Sequence, residues 1–198
     1  MILGRSPLRN HEQNARYDAV VAPHLPAGYN LARWLTRSEQ DAEDVLQEAC
    51  LRAFKFCADF QGDDGRPWFL TIVRNSCYTW LRQNRRHELE TSFDPELHDI
   101  PDEAANPELV LLRGVEVQLV RQALQDLPLE FREVMVLREI EGLSYKEIGR
   151  VADVPVGTVM SRLARARRRL QGQLAPHSNA IAGGVTVKPE KEGKHDLL

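Results

Sequence analysis

The chain has 198 residues, of which 42% are hydrophobic and 28% are charged, and its formal net charge is -3. This composition provides enough apolar side chains for a folded core and excludes disorder throughout. Three cysteines without a CxxC pair argue against a disulfide framework or a zinc site, and no apolar run reaches the roughly 20 residues of a membrane-spanning helix. We therefore expect a cytoplasmic protein with no metal, no other cofactor and no membrane insertion.

The charges are segregated along the chain. Residues 66–87 contain five arginines and no acidic residue, whereas residues 93–112 contain six acidic residues and no lysine or arginine. A second basic run follows at residues 162–169. Because nucleic-acid binding needs positive charge in one place and not on average, the two basic segments are candidate binding surfaces.

Apolar residues recur at spacings of three and four throughout, which predicts an all-α fold. A first helical segment covers residues 15–37 and is interrupted around Pro23 and Pro26. A second covers residues 41–60, with acidic residues at its start and one apolar stripe. After glycines at 62 and 65, Pro67 marks the first turn of a third helix that runs to about residue 86.

Prolines at 95, 101 and 107 combine with the acidic bias to predict a flexible linker. We therefore predict two small helical domains, at residues 1–90 and 113–174, joined by an acidic linker at 91–112. The last residues, 175–198, are rich in Gly, Pro, Lys and Glu, and this composition predicts a disordered tail.

The second domain carries the pattern of a helix-turn-helix. Its helical spacing begins at Val117, and Pro128 should start a helix that Gly142 ends. Residues 144–147 read Ser-Tyr-Lys-Glu, the form of a capping box, and Asp-Val-Pro at 153–155 interrupts the helix that follows. Gly149 allows a close helix crossing, Asp153 tolerates a left-handed turn, and Val154 and Val159 should plug the core between the helices.

The outer face of the second helix of this motif is basic and hydroxyl-rich. Thr158, Ser161, Arg162 and Arg165 can read base edges in a major groove, while Lys146 and the arginines at 167–169 can hold phosphates. The alternative is a solvated basic helix. The capping box, turn and buried valines together favour DNA binding.

The first basic segment interleaves arginines with aromatic residues, namely Trp68, Tyr78 and Trp80. Unpaired bases stack on such rings, each contributing about 1–3 kcal/mol. The alternative is that Trp68 and Trp80 are core residues, and for Trp80, which lies on the apolar face, the core role is favoured.

Three motifs carry a resemblance to a known family. They are DAEDVLQEACLRAF at residues 41–54, RPWFLTIVRNSCYTWLRQNRR at 66–86 and LPLEFREVMVLREIEGLSYKEIGRVADVPVGTVMSRLARARRRL at 127–170. In their order and spacing the chain resembles the extracytoplasmic-function (ECF) sigma factors of bacterial RNA polymerase. The resemblance implies a factor without catalytic residues that binds core polymerase and promoter DNA. It would direct promoter recognition, melting and initiation at stress-response genes, under control of an anti-sigma factor.

The resemblance also implies roles for individual residues. Gln47, Leu51 and Lys55 point away from the apolar stripe of their helix, Asn75 matches an asparagine that the family places near a flipped base, and Met160 departs from a common lysine. The polymerase-binding set is Asp44, Gln47, Glu48, Leu51 and Lys55. The set for the downstream, minus-ten element is Trp68, Arg74, Asn75, Tyr78, Arg82, Arg85 and Arg86. The set for the upstream, minus-thirty-five element is Lys146, Thr158, Met160, Ser161, Arg162, Arg165 and Arg168.

Two other functions fit parts of the sequence. An ordinary helix-turn-helix repressor or activator would use the first domain to sense a ligand or to dimerise, but it leaves the aromatic basic segment unexplained. A nuclease could use Asp63, Asp64 and His87, but paired acids beside a glycine are typical of a turn, and no second carboxylate cluster is available to hold two metals.

Overall fold

The computed structural model describes the backbone of residues 7–62, 64–84 and 117–183, and the side chains of residues 11–62, 64–84 and 117–176. All regular structure in these ranges is helical, which confirms the predicted all-α class. Within the same ranges, no helix combines the length and the apolarity needed to cross a bilayer. The predicted linker at 91–112 lies outside the described residues.

The first half of the chain begins with two helices separated at the predicted proline break. Helix α1 (Pro7–Val20) is followed by a 3-10 turn at Ala22–His24 and then by helix α2 (Leu25–Thr36). Arg37 ends α2 in a left-handed conformation with φ of 65°.

Helix α3 (Glu39–Phe56) begins at Ser38, whose Oγ accepts a hydrogen bond from the Asp41 N–H at 3.3 Å. Acidic residues lie in its first turn, where the helix dipole favours negative charge. We expected this helix to reach Phe60, but it ends four residues earlier. A 3-10 turn at Cys57–Asp59 takes over and Phe60 is extended, which lets the Phe60 ring pack against Trp68.

Helix α4 (Gly65–Asn84) packs against α2 and α3. Four positions of its predicted inward face are fully buried, which confirms that part of the prediction. The other two, Ile72 and Trp80, are only half-buried. Trp80 packs against the core, in line with the structural role favoured for it. Leu70 was not predicted to be inside but is fully buried, because α4 also packs against the second half of the chain. The four confirmed positions are Phe69, Val73, Ser76 and Cys77.

The second half follows the predicted order of helices. Pro128 caps one helix, and Gly142, with φ of 68°, ends the π-helical segment that continues it. Val117 and Val120 lie at the start of this half but are 52% and 44% exposed, so the buried stripe there consists of Ala123 and Leu127. The helices are α5 (residues 117–125 in the described range), α6 (Leu129–Met135) with its π-helical continuation (Val136–Ile140), α7 (Tyr145–Ala152) and α8 (Val156–Gly183).

Helix α8 is longer than expected. It continues through Pro176 to Gly183, so residues 175–183, which the composition assigned to a disordered tail, are helical. The prediction of disorder rested on the Gly, Pro, Lys and Glu content and did not take into account the alanines at 175, 180 and 182, which have high helix propensity. The remainder of the predicted tail, 184–198, lies outside the described residues.

The two halves of the chain pack against each other. Helices α2 and α4 of the first half contact α6, its π-helical continuation and α7 of the second. Buried apolar side chains from both halves form one continuous cluster. The sequence pattern predicted two units and a linker, and it contained no sign of this contact.

Candidate nucleic-acid interface

The helix-turn-helix is built as its sequence predicted. Ser144 Oγ accepts the Glu147 N–H at 3.3 Å, and Glu147 Oε2 accepts the Ser144 N–H at 2.6 Å, which completes the capping box. The hydrogen bonds from the side chain and backbone of Ser144 lower the pKa of Glu147. These bonds fix where α7 begins and therefore how it is oriented toward α8.

The turn between α7 and α8 depends on two backbone features. Asp153 adopts the left-handed conformation, with φ of 53°, and the Val154 N–H donates to the Gly149 carbonyl at 3.0 Å. A Cβ on Gly149 would lie 3.0 Å from the Val154 carbonyl oxygen, so a larger residue would press on the turn. Val159 is fully buried and Val154 half-buried beneath it.

The recognition face of α8 is exposed except at Thr158, which is half-buried, and at Arg162. Met160 is 54% exposed, Ser161 is exposed and its Oγ donates to the Thr158 carbonyl at 2.9 Å, and Lys146 is exposed on α7. The Arg162 side chain is only 22% exposed, and its Nη1 lies 4.0 Å from Glu133 Oε2. The residues that line a shallow cavity beside this face are Phe131, Arg165, Arg168 and Arg169.

Helix α4 divides its predicted DNA residues between two directions. Asn75 and Arg82 are exposed to solvent. Arg74 and Tyr78 instead face the second half of the chain, with the Arg74 guanidinium 4.0 Å above the Tyr78 ring. Trp68 is half-buried and packs against Phe60 with a ring separation of 4.8 Å. Arg85 and Arg86 lie outside the described residues.

Glu133 on α6 is the residue toward which Arg74, Tyr78 and Arg162 converge. Arg74 Nε donates to Glu133 Oε1 at 2.7 Å, and the Tyr78 hydroxyl donates to Oε2 at 3.1 Å. Glu133 is fully buried, and burial raises its pKa, an effect that the nearby Arg74 guanidinium opposes. Burial and the adjacent carboxylate raise the pKa of Tyr78 to about 12. We call Glu133, Arg74, Tyr78 and Arg162 the Glu133 cluster.

Sequence reasoning missed Glu133. The one available signal is its position in residues 131–137, a stretch that is apolar apart from Arg132 and Glu133 and whose residues are all buried in the structure. A charged side chain inside such a stretch requires a partner, since an unpaired buried charge is strongly unfavourable. The sequence could have indicated that Glu133 needs a partner, but it could not identify the partners, which come from α4 and α8.

The outer face of α3 carries the predicted polymerase-binding residues. Asp44, Gln47, Glu48, Leu51 and Lys55 are all exposed. Leu51 is 68% exposed and Phe56, which the sequence analysis did not select, is 51% exposed. The Lys55 ammonium lies 5.7 Å from the centre of the Phe56 ring. This face thus combines exposed apolar groups with charge, as a protein-binding surface does.

In the part of the chain whose side chains are described, no group of three or more His, Cys, Asp or Glu residues is arranged to hold a metal ion. Asp63 and His87, two of the three residues considered for a nuclease, lie outside that part. Asp64 is used locally, since its Oδ1 accepts the Arg66 N–H at 2.9 Å near the start of α4.

Comparisons with known proteins identify the class to which this architecture belongs. Residues 20–87 match the family description Sigma-70 region 2, and residues 118–170 match Sigma-70, region 4. The first range holds α2, α3 and α4, and the second holds the helix-turn-helix. The protein is therefore a member of the sigma-70 class.

Curated relatives narrow this class. The chain is 37% identical to the ECF RNA polymerase sigma factor SigE of Mycolicibacterium smegmatis, over 84% of this chain and 64% of that protein, so it spans just under two thirds of that relative. It is 37% identical to the RNA polymerase sigma-H factor of Pseudomonas aeruginosa, over 81% and 86% of the two chains. It is 34% identical to the ECF RNA polymerase sigma-E factor of Escherichia coli, over 80% of each. The chain belongs to the ECF sigma factors.

Two solved structures share the fold. One is the sigma factor RpoE in complex with the anti-sigma factor NepR from Bartonella quintana, with a TM-score of 0.64 and 28% identity over 78% of this chain and 94% of that one. The other is CnrH in complex with the cytosolic domain of CnrY, with a TM-score of 0.55 and 26% identity over 85% and 89% of the two chains.

Proposed function

We propose that this sigma factor binds core RNA polymerase, recognises and melts promoters, and starts transcription of stress-response genes under the control of an anti-sigma factor. It acts by binding and not by catalysis, and it works in the cytoplasm, where polymerase and DNA are. The observation that carries the proposal is the presence, on one chain, of a capped helix-turn-helix with an exposed basic face and a separate basic, aromatic helix.

Polymerase binding is assigned to the outer face of α3. Its inner stripe is buried in the domain, so the exposed Leu51 and Phe56 are free to be covered by another protein. The charged and polar residues around them suit the rim of such an interface. The proposed contact set is Asp44, Gln47, Glu48, Leu51 and Lys55.

Reading of the upstream element is assigned to α8. Arg165 and Arg168 are exposed and can donate paired hydrogen bonds to guanine or to phosphates, while the exposed Met160 side chain can contact a thymine methyl group. Lys146, Thr158, Ser161 and Arg162 complete the proposed set.

Capture of the melted downstream element is assigned to α4. A strand leaving the duplex needs aromatic faces for its bases and cations for its phosphates. Arg82 is exposed and provides a cation, and the aromatic face and a second cation are assigned to Tyr78 and Arg74, which face the second half of the chain in this structure. Asn75 is exposed beside them. Trp68, Arg85 and Arg86 belong to the same proposed set.

Control by an anti-sigma factor is proposed from the relatives. The solved structure of RpoE is a complex with the anti-sigma factor NepR, and that of CnrH is a complex with the cytosolic domain of CnrY. The exposed apolar side chains on α3 provide a surface on which such an inhibitor could compete with polymerase.

Selection of DNA with and without polymerase tests the proposal. The purified chain is incubated with a randomised pool of double-stranded fragments, either alone or with sigma-free core polymerase, and bound fragments are sequenced. We expect two spaced elements to be enriched only when polymerase is present. Enrichment of a single palindromic site by the chain alone would instead identify an ordinary helix-turn-helix regulator and overturn the proposal.

A further inference from the structure

Two large apolar side chains are exposed at the start of the recognition helix. Val156 is 39% exposed and Met160 is 54% exposed. They are four residues apart on α8, so they are neighbours on one flank of the helix. In residues 144–170, which the structure describes throughout, no other large apolar side chain is exposed. We call Val156 and Met160 the apolar pair.

Packing within the domain does not account for the apolar pair. The side of α8 that enters the core carries Val159, Leu163 and Ala166, all of them buried, and the helical repeat places the apolar pair outside that stripe. Val156 passes beside Gly149 of α7 at ordinary contact distance, since a Cβ built on that glycine would lie 3.8 Å from Val156 Cγ2. The exposed parts of both side chains contribute nothing to the core, so their apolar character fits a partner outside the chain.

The charge of α8 indicates the chemistry of that partner. The helix carries five arginines and no acidic residue, and Arg165 and Arg168 are exposed beyond the apolar pair. Such a surface attracts a polyanion. In a helix-turn-helix, the N-terminal residues of the second helix face the base edges in the major groove, and the apolar pair lies in the first two turns of α8. The two side chains are therefore placed to meet bases and not phosphates.

Only one base has an apolar group in the major groove. The edges of adenine, guanine and cytosine present nitrogen and oxygen donors and acceptors there, whereas thymine adds its C5 methyl group. An apolar side chain pressed on a polar edge displaces water without replacing its hydrogen bonds, which is unfavourable. Contact with a methyl group removes apolar surface of both partners from water, which is favourable. The apolar pair therefore discriminates between bases through the methyl group.

We propose that Val156 and Met160 select thymine methyl groups on neighbouring base pairs of the upstream element, and that they set the base preference at the leading end of α8. The inference rests on the proposed function and deepens it, since it names bases that the helix reads. It also adds Val156, which the sequence analysis did not place in any DNA-contact set. Neighbouring base pairs fit because side chains four positions apart have Cβ atoms about 5–6 Å from each other, which lies between one and two base-pair rises of about 3.4 Å.

Replacement of thymidine by deoxyuridine tests this reading, because it removes the C5 methyl group and leaves base pairing unchanged. Two randomised pools of double-stranded upstream sequence, one containing thymidine and one containing deoxyuridine, are selected with the full-length chain bound to core polymerase. We expect thymine to be enriched at one or two positions in the first pool and uracil not to be enriched there in the second. For the selected sequence, affinity should fall about fourfold for each methyl group removed.

Variants of the apolar pair connect the methyl effect to these residues. Val156→Ala and Met160→Ala should each bring the ratio of thymidine to deoxyuridine affinity closer to one, and the double variant should bring it to one. Met160→Leu keeps an apolar side chain of similar volume and should retain the ratio. Arg168→Ala is the matched control, because loss of a cation should weaken binding to both DNAs by the same factor. Circular dichroism verifies that each variant retains its helix content.

The affinity ratio distinguishes the outcomes. If the wild type binds the deoxyuridine form of its selected element as tightly as the thymidine form, or if the double variant keeps the wild-type ratio, the apolar pair does not read methyl groups and the inference is wrong. In both cases an element is still enriched, so the proposed function stands. A chain that enriches no element from either pool in the presence of polymerase contradicts the proposed function, and this inference with it.

Discussion

Arginines a few positions apart on α8 have different partners. Arg162 points to the buried Glu133, Arg165 lines the cavity beside Phe131, and the Arg167 Nη2 lies 2.7 Å from Glu139 Oε1. The helical repeat of 3.6 residues separates these directions. Spacing alone could therefore predict that Arg165 is accessible, whereas the partner of Arg162 depends on tertiary packing that the sequence does not display.

Arg165→Ala should reduce promoter-specific transcription while leaving association with core polymerase intact. Loss of a base or phosphate contact by this side chain should weaken promoter binding by about 1–3 kcal/mol. Run-off transcription and a polymerase pull-down measure the two effects.

Arg167→Ala is the matched control for Arg165→Ala. It removes an arginine of similar exposure from the same helix. The sequence placed Arg167 among possible phosphate contacts, but in the structure this side chain pairs with Glu139 on the opposite side. Such exposed ion pairs contribute about 0–1 kcal/mol, so promoter output should change little. Equal losses in the two variants would mean that general positive charge, and not the recognition face, is responsible.

Helix α3 presents opposite faces to the domain core and to solvent. Ala42, Val45, Ala49 and Ala53 are buried, and Leu51 lies outside that stripe. The periodicity of the sequence was sufficient to predict both faces. It did not predict the end of the helix at Phe56, because the 3-10 turn that follows is selected by the packing of Phe60 on Trp68.

Leu51→Asp should weaken binding to core polymerase by about 2 kcal/mol or more, since it places a charge at the centre of the proposed interface. The free energy of unfolding should change by no more than about 0.5 kcal/mol, because the side chain is exposed. Ala19→Asp, an exposed change on α1 of the same domain, is the control. Affinity for core polymerase is measured by biolayer interferometry. Equal affinities for the wild type, Leu51→Asp and Ala19→Asp would show that the outer face of α3 is not part of the interface.

The capping box of α7 should make a measurable contribution to stability. Ser144→Ala removes the acceptor for the Glu147 N–H and should lower the free energy of unfolding by about 1 kcal/mol in urea. Lys146→Ala is a control in the same turn, since that side chain is exposed and is not part of the capping box. A Ser144→Ala protein as stable as the control would show that the turn, and not the cap, fixes the start of the helix.

The same capping box predicts a dependence on pH. The pKa of Glu147 is lowered in the folded state, so its charge stabilises the fold above the unfolded-state value of about 4.3, and this contribution is lost as the pH falls through the lower folded value. The difference in unfolding free energy between wild type and Glu147→Gln should therefore be larger at neutral pH than in acid. If the difference in unfolding free energy stays constant from neutral pH to below 4, the charge of Glu147 does not stabilise the fold through the capping box.

At the scale of the whole molecule, local signals and long-range packing were predictable to different degrees. The all-α class, the break at Pro23, the stop at Gly142 and the left-handed Asp153 follow from local chemistry, and the structure confirms them. The packing of the two halves against each other does not follow from local chemistry, because its polar contacts join residues more than fifty positions apart, such as Arg74 and Glu133. Contacts of that range carry no periodic signature in the sequence.

Initiation by reconstituted polymerase is the most direct test of whether this chain is an initiation factor. Sigma-free core polymerase is combined with the purified chain and a randomised promoter library, and the 5′ ends of the transcripts are sequenced. We expect transcripts that start at a defined distance from two enriched elements, with the upstream preference relaxed in Arg165→Ala. If the chain forms a complex with polymerase but yields no transcript with a defined start from any template, its assignment as an initiation factor is wrong.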